Sequence, residues 1–357
     1  MDYNKVLTLA PFGVSKEEKH KLFSEYLSEL TAYHREHCPA YERYLSALGY
    51  AKNGKHAEKD IPMVPISVFK EMDLRSVPEE EVFKTITSSG TTGQKVSKIY
   101  LDSVTAANQQ KTLYKIVADF TGGERLPFLI IDSPKVLKDR MMFSARGAGI
   151  LGFSIFASEM VYALDENMNL NLEAIENFAK KHEGKKILLF GFTYMIWKHF
   201  FKELEKQDIT LQLPEGMLIH GGGWKKLQAE AVDNQTFKDC IKKRTGIDFV
   251  SNYYGMAEQT GCIYMECEHG HLHVSTYSDI LIRKAEDFSV CKNGEEGIIQ
   301  VLSLLPESYP GHSILTEDRG VILGEDDCPC GRKGKYFSIL GRVKHSETRG
   351  CSDTYEG

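Results

Sequence analysis

Lys186-Ile187-Leu188-Leu189-Phe190 is wholly apolar after its leading lysine, and it follows Leu172–Lys181, a stretch with helical spacing. An apolar run this short, without polar alternation, predicts an interior strand buried on both faces, as in a parallel sheet. The same alternation extends in both directions. Upstream, Thr105–Phe120 reads as a helix ahead of the strand Pro127-Phe128-Leu129-Ile130-Ile131-Asp132. Downstream, Met217–His220 reads as a strand running into three glycines, Trp224–Arg244 as a helix and Ile247–Ser251 as another strand. Apolar strands separated by helices predict an α/β fold with a largely parallel sheet. After about residue 262 the character changes. Leu272–Val274, Asp279–Arg283, Gly297–Leu305 and Gly320–Leu323 read as short strands between Gly, Asn and Asp turns, a smaller and mostly antiparallel section.

The N-terminal part reads differently. Ser15-Lys16-Glu17-Glu18 is a capping box. Leu22, Phe23, Tyr26, Leu27, Leu30 and Tyr33 then follow at helical spacing, which predicts a helix over 15–37. Pro39 breaks it, a shorter helix runs to about Leu48 and stops at Gly49, and Pro62 and Pro65 bracket an extended segment.

With 357 residues the chain is long enough for a substantial core, and its 42% hydrophobic and 26% charged content is that of a globular protein. A net charge of -6 leaves no basic excess to meet a phosphate backbone, which argues against non-specific nucleic-acid binding. No apolar stretch is long enough to span a bilayer or to form a signal peptide. Eight cysteines in such a chain fit a reducing compartment, so a cytoplasmic location is expected, with thiols free to react or to bind metal.

Four motifs bear on chemistry. Ser88-Ser89-Gly90-Thr91-Thr92-Gly93-Gln94-Lys95 lies between two extended segments, Val82–Thr87 and Lys98–Leu101. Its glycines let backbone N–H groups turn toward an anion and its hydroxyls add donors, so the loop can cradle phosphates. Its glycine spacing is not that of a Walker A loop. Asn252-Tyr253-Tyr254-Gly255-Met256-Ala257-Glu258-Gln259 follows a strand, where α/β sheets bind ligands. A tyrosine there can stack on a base, and Glu258 can hold Mg²⁺ beside phosphate oxygens. Leu315-Thr316-Glu317-Asp318-Arg319-Gly320 offers a carboxylate, expected in a tight turn, that can accept ribose hydroxyls. His220-Gly221-Gly222-Gly223-Trp224 looks like a lipase oxyanion loop, but the chain has no Gly-x-Ser-x-Gly elbow, which excludes that hydrolase class. The three glycines then serve close backbone approach to a ligand such as a flat base. Gly147-Ala148-Gly149-Ile150-Leu151-Gly152 matches the dinucleotide fingerprint, yet no strand leads directly into it, and a packed glycine-rich turn is expected instead.

Two cysteine features stand apart. Cys328-Pro329-Cys330-Gly331 is a knuckle able to place two thiolates on one zinc ion. Cys267, with His269, His271 and His273 close by, could complete the set, Cys267 and His273 being the preferred pair. Structural zinc and buried free thiols both remain open. Cys351, in Arg349-Gly350-Cys351-Ser352-Asp353, is either an incidental thiol or a mobile nucleophile beside a cation.

Taken in order, SSGTTG, GGG, YYGMAEQ, TEDRG and Gly341-Arg342 resemble the core motifs of adenylate-forming enzymes, the acyl-CoA synthetases and their relatives, over roughly residues 85 to 349. The resemblance implies their N-terminal core with mostly parallel sheets and a smaller antiparallel section. Its parts would be a helical region at 1–84, an adenylation core at 85–261, a β-rich part at 262–340 and a hinge-like tail at 341–357. Fifteen residues follow Arg342, so the C-terminal lid domain of such enzymes is expected to be absent.

Within the superfamily the HGGGWKK string, the helical N-terminus and the ending are similar to acyl-protein synthetases (LuxE-type long-chain-fatty-acid–protein ligases). The Cys/His set with CPCGR is similar to phenylacetate-CoA ligases. The first likeness implies activation of a carboxylic acid, expected to be a long-chain fatty acid, by ATP with Mg²⁺. Ser88, Ser89, Gly90, Thr91, Thr92, Gly93 and Lys95 would hold pyrophosphate. Gly221, Gly222, Gly223 and Tyr254 would hold adenine, Asp318 the ribose, and Arg342 the ribose or phosphate, with Gly255 and Met256 also in the nucleotide site. Glu258 would hold the magnesium. The acyl group would pass to Cys351 as a thioester and then to a partner such as an acyl reductase. The alternatives are an acyl- or aryl-CoA ligase, activation onto a carrier protein, or a zinc-stapled interaction module with a vestigial nucleotide site.

Overall fold

The computed structural model describes residues 3–50, 56–88, 95–138 and 145–343. By compactness the chain divides into two units. Among the described residues, one lies within 120–254 and the other combines residues up to 119 with 255–343.

The unit within 120–254 carries Lys186–Phe190. Its strands are β1 (Leu126–Ile130), β2 (Ala157–Tyr162), β3 (Ile187–Phe192), β4 (Gly216–Gly221) and β5 (Phe249–Tyr254). They lie in the order β2-β1-β3-β4-β5, every pair parallel. All six residues of β3 are buried, as the absence of polar alternation requires. Helix Leu172–Lys181 starts at Asn171, whose side chain accepts from the Ala174 amide, and ends in Lys180 and Lys181, which suit the negative end of the helix dipole. It buries Ile175 and Phe178 against a core that includes Leu129, Leu189, Trp197, Phe200, Leu218 and Phe237.

Two sequence expectations fail here. Trp224–Arg244 is not one helix: a 3₁₀ stretch, Lys225–Glu230, ends at the extended residue Ala231, and a separate helix, Asn234–Thr245, begins. Asp233 caps the second helix, its carboxylate accepting from the Thr236 amide and hydroxyl at 2.9 and 2.6 Å. Apolar spacing alone does not register such a cap. Gly147–Gly152 is not a turn either; it lies within helix Ala145–Phe153. A Cβ on Gly149 would sit 3.1 Å from the Phe192 ring, so that glycine serves close packing.

The other unit is built on an antiparallel sheet. Its strands β6 (Leu272–His273), β7 (Ser278–Arg283), β8 (Glu296–Ser303), β9 (Ser313–Glu325) and β10 (Lys335–Arg342) lie in the order β6-β10-β9-β8-β7. Val64–Pro65 joins the sheet by pairing parallel to β9. Strand β9 corrects a third expectation. Thr316 to Gly320 do not form a turn but lie inside this thirteen-residue strand, which changes register against β10 after Arg319 and again after Ile322. Such irregularities bend a strand without ending it, so a run of polar residues and a glycine inside it imitates a turn.

Helix Lys16–His37 has the capping box seen in the sequence, with Ser15 and Glu18 bonded reciprocally, and buries Phe23, Leu27, Leu30 and His34. Two buried ion pairs lie behind it. The Lys19 ammonium lies 3.6 Å from Asp279 and donates to the Ser275 carbonyl, and Lys335 meets Asp279 at 2.8 Å. The two pairs share Asp279, so removing that carboxylate would leave the buried Lys19 and Lys335 ammonium groups without it, which costs about 3–5 kcal/mol. A second helix, Pro39–Ala47, and a long one, Ser103–Thr121, also fall where expected. An antiparallel pair, Lys84–Thr87 with Lys98–Leu101, flanks the expected phosphate loop. Among the described residues no helix is long and apolar enough to cross a membrane.

Candidate functional site

In the parallel unit the expected glycines lie at strand ends. Gly221 closes β4, opposite Tyr253 of β5. A Cβ at Gly221 would come within 2.5 Å of the Tyr253 ring, so the ring rests on bare backbone. Gly222 has φ +78°, a conformation only glycine adopts without strain, and faces Phe192, while Gly223 has open space where a Cβ would be. These are carboxyl ends of parallel strands, the edge on which such sheets bind ligands. Tyr254 ends β5, half-buried.

His220 fixes this corner. Thr193 Oγ1 lies 3.0 Å from His220 Nδ1 and donates to the Gly221 carbonyl at 3.2 Å. With its proton committed there, the hydroxyl accepts from His220 Nδ1–H, leaving Nε2 unprotonated. Burial, followed by the charge of Lys238, lowers the His220 pKa to about 3, so the ring is neutral at ordinary pH.

In the antiparallel unit Glu258 sits in the short 3₁₀ turn Ala257–Gln259 and is 3% exposed. Its neighbours hold the backbone of that turn. The Tyr309 hydroxyl donates to the Glu258 carbonyl at 2.9 Å. The Gln259 side-chain amide donates to the carbonyls of Gly311 and Val301, at 2.8 and 3.2 Å. Thr260 Oγ1 donates to Gln109 Oε1 at 2.6 Å, which ties the turn to helix Ser103–Thr121. Burial, followed by the Glu258 charge, pushes the Tyr309 phenol up, so it remains a donor. Gly261 has φ +89°, and a Cβ there would lie 2.7 Å from the Gln109 backbone.

Asp318 and Arg342 are brought together. They are partners across the β9–β10 ladder. Arg342 Nη2 meets Glu317 at 2.8 Å, and its Nε lies 3.6 Å from Asp318. All three side chains are part-exposed, which leaves the pair open to a polar ligand. A carboxylate beside a guanidinium suits a vicinal diol linked to a phosphate, since one accepts hydroxyl protons and the other takes anionic oxygen.

The phosphate-loop residues divide. Ser88 donates its amide to the Ser97 carbonyl at 3.2 Å and accepts the Ser97 amide at 3.0 Å. Lys95 is exposed and paired with Glu71 at 2.7 Å. Ser89, Gly90, Thr91, Thr92 and Gly93 lie outside the described residues, as does Cys351. Gly255 and Met256 are half-buried.

The cysteine–histidine set converges. The ligand atoms of Cys267, His273, Cys328 and Cys330 all lie within 4.8 Å of one another. His271 is beside them, its Nδ1 3.3 Å from the Cys328 sulfur, and is not one of the four.

The sequence reading does not mark the supports Gln109, Tyr309 and Gly311, nor the supporting roles of Thr193 and of Gln259, which closes the 252–259 motif. Pro310-Gly311 is a turn dipeptide and could have flagged its own segment; nothing in local sequence marks Gln109 or Thr193.

Known proteins give a consistent comparison. The family model described as "Acyl-protein synthetase, LuxE" matches residues 2–356. The long-chain-fatty-acid–luciferin-component ligase of Vibrio harveyi is 22% identical over 348 residues, covering 95% of this chain and 88% of the relative. That of Aliivibrio fischeri is 22% identical over 355 residues, covering 95% and 89%. Among solved structures, an open conformation of 2-hydroxyisobutyryl-CoA ligase, in complex with 2-HIB-AMP and CoA, superposes with a TM-score of 0.73. It is 17% identical and covers 95% of this chain and 78% of that one, a likeness of fold.

Proposed function

We infer that this chain, which belongs to the acyl-protein synthetase, LuxE family, is an acid-activating ligase that joins a carboxylic acid to AMP and passes the acyl group to a thiol. The Vibrio harveyi and Aliivibrio fischeri relatives are named for long-chain fatty acids, which supports a fatty acid as substrate. The observation that carries the reading is Glu258, a buried acid whose backbone is anchored by Tyr309 and whose neighbours Gln259 and Thr260 are anchored on Gly311 and Gln109.

In the first step a carboxylate oxygen attacks the α-phosphorus of ATP. The bond to the bridging oxygen breaks and pyrophosphate leaves, so the product is the mixed anhydride acyl-AMP. The 88–95 loop supplies donors to the departing phosphates. Asp318 accepts from the ribose hydroxyls and Arg342 neutralises phosphate charge. Tyr254 and the 221–223 glycines offer adenine a flat, backbone-lined surface. A carboxylate is the hard donor that Mg²⁺ prefers, and the anchored, shielded Glu258 fits that ion. When bound, magnesium would supply positive charge to the phosphate oxygens.

In the second step the Cys351 thiolate attacks the acyl carbonyl. A thioester forms, and the bond to AMP breaks with the electron pair leaving on phosphate. The thioester then serves an acyl-accepting partner such as a reductase.

Intact-mass spectrometry after incubation with ATP, Mg²⁺ and fatty acids of graded length tests this. The expected result is an acyl adduct that hydroxylamine removes and that is missing in Cys351→Ser, while ATP–pyrophosphate exchange persists in that variant. Acylation of Cys351→Ser would overturn the thiol assignment. Product appearing only with added CoA would favour the CoA-ligase alternative. An absence of exchange with every acid would overturn the enzyme reading.

A further inference from the structure

We propose that Cys267, His273, Cys328 and Cys330 bind one zinc ion as a tetrahedral Cys₃His site. The inference is independent of the adenylation reading.

The geometry is that of a metal cage. With Zn–S near 2.3 Å and Zn–N near 2.05 Å, a tetrahedron has S–S edges of about 3.8 Å and S–N edges of about 3.6 Å. Cys267 Sγ lies 4.0 Å from Cys328 Sγ, and Cys330 Sγ lies 3.3 Å from His273 Nε2. The two turns supplying the thiols are alike. Gly270 donates its amide to the Cys267 carbonyl at 2.9 Å, and Gly331 to the Cys328 carbonyl at 3.0 Å. Both glycines have positive φ, +78° and +82°. Each turn therefore has the form Cys-x-x-Gly, folded back so that its cysteine faces the other turn.

The surroundings suit a fixed ion. Cys267, His273 and Cys328 are buried. The His273 ring is held between Tyr336, stacked at 5.8 Å, and the edge of Phe12 at 6.1 Å. Three thiolates and a neutral imidazole around Zn²⁺ carry one net negative charge. Arg332 faces it: its side chain hydrogen-bonds Cys330 and is steadied by Asp119 at 2.8 Å. Four protein ligands leave no open position, so the site is structural. Soft thiolates select zinc over magnesium or calcium.

What the ion joins follows from the chain order. Cys328 and Cys330 lie in the connection between β9 and β10, and Cys267 and His273 come from the segment ending in β6. The metal thus closes the end of the β9–β10 hairpin opposite to Asp318 and Arg342.

The test uses untagged full-length protein, reduced and dialysed. Elemental analysis is expected to find about one zinc per chain. Exchange into Co²⁺ is expected to give thiolate charge-transfer absorption and the strong visible bands of a tetrahedral site. His273→Ala and the double variant Cys328→Ser with Cys330→Ser lose the metal. His271→Ala and Cys240→Ser, the latter far from the set in sequence and not one of its ligands, keep it. If the ligand variants do not fold, the wild-type cobalt spectrum decides. A chain with well under one equivalent of metal and no tetrahedral cobalt spectrum overturns the proposal. So does equal metal loss in His271→Ala and His273→Ala, or a Cys267–Cys328 disulfide in the native protein.

Discussion

Glu258 is steadied through its backbone carbonyl by Tyr309, and the next two residues of its turn, Gln259 and Thr260, are held by Gly311 and Gln109, all distant in sequence. Replacing its carboxylate alone therefore tests charge. Glu258→Gln keeps the shape and removes the anion, so ATP–pyrophosphate exchange is expected to fall at least about 100-fold, equivalent to about 2.7 kcal/mol. The circular dichroism spectrum and urea midpoint should match wild type. A loss under about threefold would remove Glu258 from the phosphate chemistry. Gly221 is the contrasting case, because there shape matters. A methyl group at that position would meet the Tyr253 ring at 2.5 Å. Gly221→Ala is expected to cost about 1–3 kcal/mol of stability in denaturant titration. It should also weaken ATP affinity, because the displaced ring moves into the adenine surface.

Among the elements, helix Lys16–His37 contains the clearest pH-sensitive group. His34 is fully buried: Ser76 Oγ lies 2.8 Å from its Nδ1, and the Pro306 carbonyl lies 3.0 Å from its Nε2. Its ring stacks on His312. Burial lowers the His34 pKa to about 3, against about 6.5 in the unfolded chain. Between those values the unfolded chain binds a proton that the folded chain refuses, so this contribution is full above about pH 6.5 and is lost as pH falls. Glu58 and Glu307, raised by burial to about 8 and about 7, act in the opposite sense, stabilising the fold as pH falls. A difference measurement separates them. The unfolding free energy of wild type minus that of His34→Gln should fall by about 1.4 kcal/mol per pH unit between about pH 6 and 4. A pH-independent difference would mean that the imidazole is solvated or already charged.

The elements also show what the sequence could reveal. Leu172–Lys181 and Ile187–Phe190 were legible because burial on one face or two leaves a period in the residues themselves. The 315–320 part of strand β9 reads as a turn because its irregular register places Asp318, Arg319 and Gly320 where polarity and glycine usually signal chain reversal, whereas Gly320–Leu323 reads as strand. The metal-ligand set could be listed from residue type, yet only the strand order puts Cys267 beside Cys328. Asp318 and Arg342 were each marked by motif, whereas their pairing depends on register, which a linear sequence does not print.

For the whole molecule, the decisive feature is how each unit uses the chain. Among the described residues the parallel unit draws only on 120–254. The antiparallel unit needs both earlier and later residues: Val64 pairs with Ile314, and Lys19 pairs with Asp279. Its early segments must wait for their partners. During synthesis, protease added to stalled ribosomes should find 120–254 protected while Lys16–His37 is still cleaved. Protection of the helix should appear only after residues up to about 343 have emerged, since β10 supplies Lys335 to the charge cluster. Early protection of that helix would show that it has another partner in the nascent chain.

The inserted arrangement has a further consequence for a cell making this protein. Until its last strands are made, the amphipathic helix at Lys16–His37 leaves the ribosome with Phe23, Leu27 and Leu30 uncovered. An uncovered apolar face of this kind is the surface that chaperones bind, so slow codons near the end of the message would prolong that exposure.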